Sequence, residues 1–191
     1  MPRIAQKTIL FFLLMTVSAY NAMAQKESDV YNRFLDMNVS ILDGKPDEAL
    51  VIAESILPDI AGLPAKTRVS FYNMTAKLYE DNDTKKSINL YLKVAAAVPN
   101  YYVAHRALGY LYLNEAEEIE KKDGLSSDSY INTAKNALPH LEKAQACDPS
   151  PETLEVITSI YKKIKDDAGL KSLNSRLKKL SVNCEDILEA E

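Results

Sequence analysis

Tryptophan is absent from this chain, and glycine, histidine and cysteine are scarce: five, two and two among 191 residues. Each shortage removes a class of function. So few glycines leave no phosphate-cradling loop, no G-x-S-x-G turn appears, and H-E-x-x-H is missing as well. The few β-branched runs argue against a sheet protein. Neither His105 nor His140 has a second ligand at metal spacing, so no metal or other cofactor is expected. Cys147 and Cys184 lie too far apart for a C-x-x-C redox or zinc motif. Clustered basic charge is lacking too. The net charge is −4 with 23 basic and 27 acidic residues, and nucleic-acid binding is not expected of a chain without a basic face.

What is present starts with the N-terminus. "MPRIAQK" carries Arg3 and Lys7 and no acid, the apolar run Ile9–Val17 follows, and Ala22-Met23-Ala24 has the small-x-small pattern that precedes signal-peptidase cleavage. Residues 1–24 therefore read as a cleaved signal peptide. The run is nine residues long, against about 20 for a bilayer span, and no cysteine follows it to take a lipid, so no stable membrane anchor is expected after cleavage. The exported chain, 25–191, carries a net charge of −6 once Arg3 and Lys7 are gone. It reads as one domain, periplasmic or secreted.

The rest alternates helical periodicity with short breaks. Tyr31, Phe34, Met37 and Ile41 recur at helical spacing and stop at Gly44. Pro46 with Asp47 and Glu48 restarts a helix where proline and acids are favourable. Pro58, Gly62 and Pro64 mark a linker. "EDNDT" at 80–84 reads as a turn that caps the next helix, not as a calcium loop, because the glycine and distal glutamate are missing. Gly124 closes a long segment, and Ser127 or Asp128 can cap its successor. Eight helices in four antiparallel hairpins result.

The hairpins repeat. "FYNMTAKLY", "HRALGYLY" and "LEVITSIY" place Phe71, Met74, Thr75 and Leu78 in register with His105, Leu108, Gly109 and Tyr112, and with Leu154, Ile157, Thr158 and Tyr161. "SINLYLKVAAAVPN" and "ALPHLEKAQACDPS" align Ser87 with Ala137, Tyr91 with Leu141 and Pro99 with Pro149. This pattern resembles the tetratricopeptide repeat family, a 34-residue helix-turn-helix with a Leu-Gly-x-x-Tyr core, a later alanine and a closing proline. The resemblance covers about residues 29–180 and is fullest in Leu108-Gly109, Tyr112, Ala137 and Pro149. It implies an all-α helical-repeat solenoid, a right-handed superhelix of units 29–62, 66–100, 101–150 and 151–182 with a tail over 183–191. It also implies that Gly109 faces Ala137, and Thr75 faces Ser87, at close helix crossings. The third unit spans 50 residues from Pro99 to Pro149 against the usual 34, with the excess between Tyr112 and Ala137, so both its helices should be elongated by about two turns each. Glu115, Glu117, Glu118, Glu120, Lys121 and Lys122 read as its solvated face. Pro139 should kink its returning helix.

No catalytic constellation emerges. His105 takes a core position and His140 reads as partly exposed. What remains is a surface: the family resemblance implies a concave groove lined by outward positions of each first helix, here Val69, Tyr72, Ala76 and Tyr79, then Val103, Arg106, Tyr110 and Leu113. The reading is an exported, non-enzymatic scaffold that binds a protein or peptide in that groove. The alternatives are an accessory of an envelope carbohydrate-handling or hydrolytic system, and a structural module for homo-oligomerisation. Cys147 and Cys184 read either as two thiols or as a disulfide formed in an oxidising compartment. Leu177, Leu180 and Val182 would fold the tail back over the preceding unit and carry Cys184 toward Cys147.

Overall fold

The computed structural model describes residues 27–188, so the signal peptide read from the sequence at 1–24 lies outside the described residues. Those residues form eight α-helices and no strand. The described residues divide into two compact units, one ending at Arg68 and the other beginning at Val69, at a point inside the third helix.

The first unit holds α1 over 27–42, α2 (Pro46–Ile56) and a 3-10 turn, Leu57–Gly62. Pro46 occupies the first turn of α2, with Asp47 and Glu48 beside it, where the helix dipole favours acids. The buried stripe of α1 is Val30, Phe34 and Met37, and that of α2 is Ala49, Ala53 and Ile56. Tyr31, which shares the helical spacing of Phe34 and Met37, is 42% exposed: the buried i, i+4, i+7 series begins one residue earlier, at Val30. Arg33 pairs with Asp29 within α1 and joins α1 to the 3-10 turn through Asp59, both at 3.1 Å.

The second unit runs from the body of α3 (Ala65–Tyr79) through α4 (Thr84–Ala97), α5 (Tyr102–Asp123), α6 (Asp128–Cys147), α7 (Pro151–Lys163) and α8 (Asp167–Leu180). Four of these helices begin at a side-chain cap. Asp83 accepts from the Lys86 amide at 3.0 Å, as the "EDNDT" turn implies. Ser127 accepts from Tyr130, Ser150 from Thr153 and Asp166 from Gly169. Each such cap stabilises its helix by about 1 kcal/mol. Gly124 closes α5 at φ 81°, a conformation that an L side chain rarely adopts.

The elongation shows in helix lengths. α5 has 22 residues against 15 in α3, and α6 has 20 against 14 in α4. α6 continues unbroken through Pro139. That proline is exposed, so the carbonyl left without an amide partner four residues earlier sits on the wet side of the helix, where water can serve it.

Thr75 and Ser87 are both fully buried, and the Ser87 hydroxyl donates to the Ala76 carbonyl at 2.8 Å. A small residue here lets α4 reach the backbone of α3. At Gly109 the outcome differs in detail. A Cβ built there would lie 2.6 Å from Cδ2, 2.7 Å from Cγ and 3.0 Å from the backbone nitrogen of Leu141. The nearest neighbour is therefore Leu141, one turn beyond Ala137. The α5–α6 crossing is as close as the sequence implies, but its point of closest approach is shifted by a turn.

α6, α7 and α8 close around Ala137, Leu138, Leu141, Ile157, Ile160, Tyr161 and Leu173. The tail is held differently from the sequence expectation. Leu177 packs against this core and Leu180 is half-buried, but Val182 is 75% exposed. The tail is fixed instead by polar and covalent links. Cys147 and Cys184 are bonded, with Cα atoms 5.5 Å apart. The Glu185 amide donates to the Asn100 carbonyl at 2.8 Å and the Tyr102 amide to the Glu185 carbonyl at 3.1 Å. The Lys143 side chain, almost wholly buried, donates through its ammonium to the carbonyls of Leu180 (3.1 Å) and Asn183 (2.5 Å). Burial holds its pKa below the usual lysine range.

Candidate binding cleft

A cleft of about 410 Å³ opens between the C-terminal turn of α3, α4 and the outer face of α5. Its floor is Val103, Ala107 and Leu111, successive turns of α5. Tyr110 and Arg106 flank the floor, and Lys77, Glu80 and Asp81 form the opposite rim.

The rims are ordered by hydrogen bonds. Glu80 accepts from Lys77 at 2.5 Å and from the Tyr91 hydroxyl at 2.6 Å. Burial, then the Glu80 carboxylate, push the Tyr91 phenol far above its ordinary value, so it stays a donor. Arg106 reaches the Asp148 carboxylate at 2.7 Å and lies over the Tyr102 ring, 5.4 Å from its centre. Tyr110 shares a hydrogen bond with Thr153 at 2.9 Å, which ties α5 to α7. The result is an apolar floor between two polar rims of mixed sign. Such a floor takes aliphatic side chains, and such rims orient a polar backbone.

Of the groove residues read from the sequence, Val103, Arg106 and Tyr110 line this cleft. Ala76 is fully buried and Tyr79 is 3% exposed. Neither offers a surface, because this face of α3 is packed inside the unit. Tyr72 lies under the Lys93 ammonium, 4.8 Å from the ring centre. Val69 is half-buried, and Leu113 packs against the α6–α8 core. Sequence reasoning missed Lys77, Glu80 and Tyr91. Their signal was the short α3–α4 turn, which brings the end of one helix beside the start of the next.

A second arrangement lies between α5 and α6. His105 and His140 meet with their Nδ1 atoms 2.9 Å apart, and His105 Nε2 lies 3.2 Å from the Pro99 carbonyl. With Nε2–H donating to Pro99, His105 Nδ1 is the acceptor and His140 Nδ1–H the donor. Tyr112 stacks on His140 with its ring centre 6.0 Å away. Burial lowers both pKa values, that of His140 to about 4, with the neighbouring His105 as the lesser cause. Among the described residues no group of three His, Cys, Asp or Glu side chains is placed to hold a metal ion, and no helix is long and apolar enough to cross a membrane.

Comparison with protein-family models, with curated proteins and with solved structures finds no match to this chain.

Proposed function

We propose that this chain is an exported, non-enzymatic binding protein of the tetratricopeptide-repeat type, and that it receives a protein or peptide segment in the α3–α4–α5 cleft. The observation that carries this reading is the alignment of Val103, Ala107, Tyr110 and Arg106 along the outer face of α5, opposite Lys77 and Glu80. First-helix surface residues are where a helical-repeat groove would present its contacts, and tyrosine and arginine are favoured anchors of protein interfaces. The repeated register of Thr75/Ser87 and Gly109, with helices meeting backbone to side chain at both, supports the repeat reading. Export to the periplasm or beyond agrees with the leader pattern at 1–24 and with the Cys147–Cys184 bond, since disulfides persist in oxidising compartments.

Capture from an envelope extract tests this reading. The chain 25–191 is immobilised beside Ala107→Trp, which fills the cleft floor, with matched thermal midpoints as the check on folding. A partner retained by the first and lost from the second supports the reading. Equal retention by both, or none by either, contradicts it.

A further inference from the structure

The first unit leaves one face of α1 uncovered. Tyr31, Leu35, Val39 and Leu42 are 42%, 45%, 56% and 85% exposed, while Val30, Phe34 and Met37 on the opposite face are buried. The four exposed residues fall at i, i+4, i+8 and i+11, so they form one continuous stripe over three turns. Scattered apolar surface residues need no explanation, but a contiguous stripe points to an interaction. A stripe of this spacing matches the apolar seam of another helix.

Charge decides which helix. On the helical wheel Asp36, with Asp43 just past the last turn, runs along one side of the stripe and Glu27 lies on the other, all three exposed. The one basic residue of α1, Arg33, is engaged by Asp29 and Asp59. Among the described residues, the exposed face of α1 thus carries acids beside its apolar seam and no uncommitted cation. A second copy of α1 would set Asp36 and Asp43 against their own kind, which disfavours self-pairing. An anionic lipid surface is disfavoured for the same reason. We infer that this face of α1 docks an amphipathic helix of a partner protein whose apolar seam is flanked by lysine or arginine. The surface shares no residue with the α3–α4–α5 cleft and stands without it.

The test uses fluorescence anisotropy with two labelled peptides of about 18 residues, five helical turns. Both carry leucine at the seam, one with lysine at the flanks and one with glutamate. The expected result is saturable binding of the lysine peptide to the chain 25–191, at least tenfold tighter than the glutamate peptide. Leu35→Ser/Leu42→Ser should weaken it at least tenfold, and these exposed positions let helical content be matched by circular dichroism. Asp36→Lys/Asp43→Lys should reverse the preference between peptides, and Ala107→Trp in the cleft should leave binding unchanged. Absence of saturable binding, equal binding of both peptides, or binding unaffected by the two serines would overturn the inference. So would a concentration-dependent dimer, seen by sedimentation, that Leu35→Ser abolishes.

Discussion

His105 and His140 face each other with their Nδ1 atoms 2.9 Å apart, although 35 residues separate them in the chain. Neither position alone announces this in the sequence: each reads as an isolated histidine on its own helix, and only the close α5–α6 crossing at Gly109 brings them together.

The pair makes stability depend on pH. In the unfolded chain a histidine protonates near pH 6.5, whereas folded His140 resists protonation until about pH 4. Between those values the unfolded state binds the extra proton, so folding stability falls as the pH drops. The loss should reach about 1–2 kcal/mol by pH 5, with His105 adding to it in the same direction. Urea unfolding at pH 7.5 and pH 5 measures it. His140→Gln should flatten most of that difference, and an equal slope in the variant would place the proton uptake elsewhere.

Gly109→Ala tests the helix crossing. Alanine would gain roughly 1 kcal/mol in helix propensity. Its Cβ would, however, fall 3.0 Å from the Leu141 backbone nitrogen and closer still to a fully buried side chain. Overpacking of this kind costs about 1–3 kcal/mol, so the net effect should be destabilising. A denaturation midpoint at or above that of the natural chain would mean that the helices separate freely here.

Glu142 and Arg176 should matter more than a surface ion pair. Glu142 is 3% exposed and accepts from Arg176 Nε at 2.8 Å and Nη2 at 2.7 Å, and from the Tyr161 hydroxyl. Exposed pairs contribute about 0–1 kcal/mol. Glu142→Gln would leave the guanidinium without its counter-charge, and about 1.5–3 kcal/mol should be lost, as for hydrogen bonds to a charged group. Thermal unfolding against an exposed control, Glu118→Gln, checks the contrast.

The Cys147–Cys184 bond closes a loop of sequence separation 37. Chain entropy gives such a loop roughly 3–4 kcal/mol of stabilisation. Cys184→Ser should lower stability by about 2–4 kcal/mol. It should also speed hydrogen exchange at the Glu185 and Tyr102 amides, whose bonds join the tail to the start of α5. Mass spectrometry of the non-reduced chain 25–191 should find no alkylatable thiol.

The helical plan was legible because it rests on local chemistry. Asp83, Ser127 and Gly124 act where capping and turn rules place them, and the length of α5 and α6 follows from the spacing of Tyr112 and Ala137. The surfaces were less legible. Ala76 and Tyr79 have the spacing of outward residues, yet packing around α3 encloses them. Tyr31 looks like core until Val30 is seen to start the buried stripe. Val182 is as apolar as a covering residue would be, but Lys143 and the disulfide fix the tail without it. Periodicity says that a helix has two faces; which face meets another helix depends on tertiary neighbours.

The cleft is tested most directly by crosslinking in the producing cell. A photoreactive amino acid at position 107, on the cleft floor, is compared with one at 171, an exposed position on α8. Binding through the cleft predicts a discrete, higher-mass adduct from 107 and none from 171. No adduct from 107, or the same adduct from both positions, would contradict it.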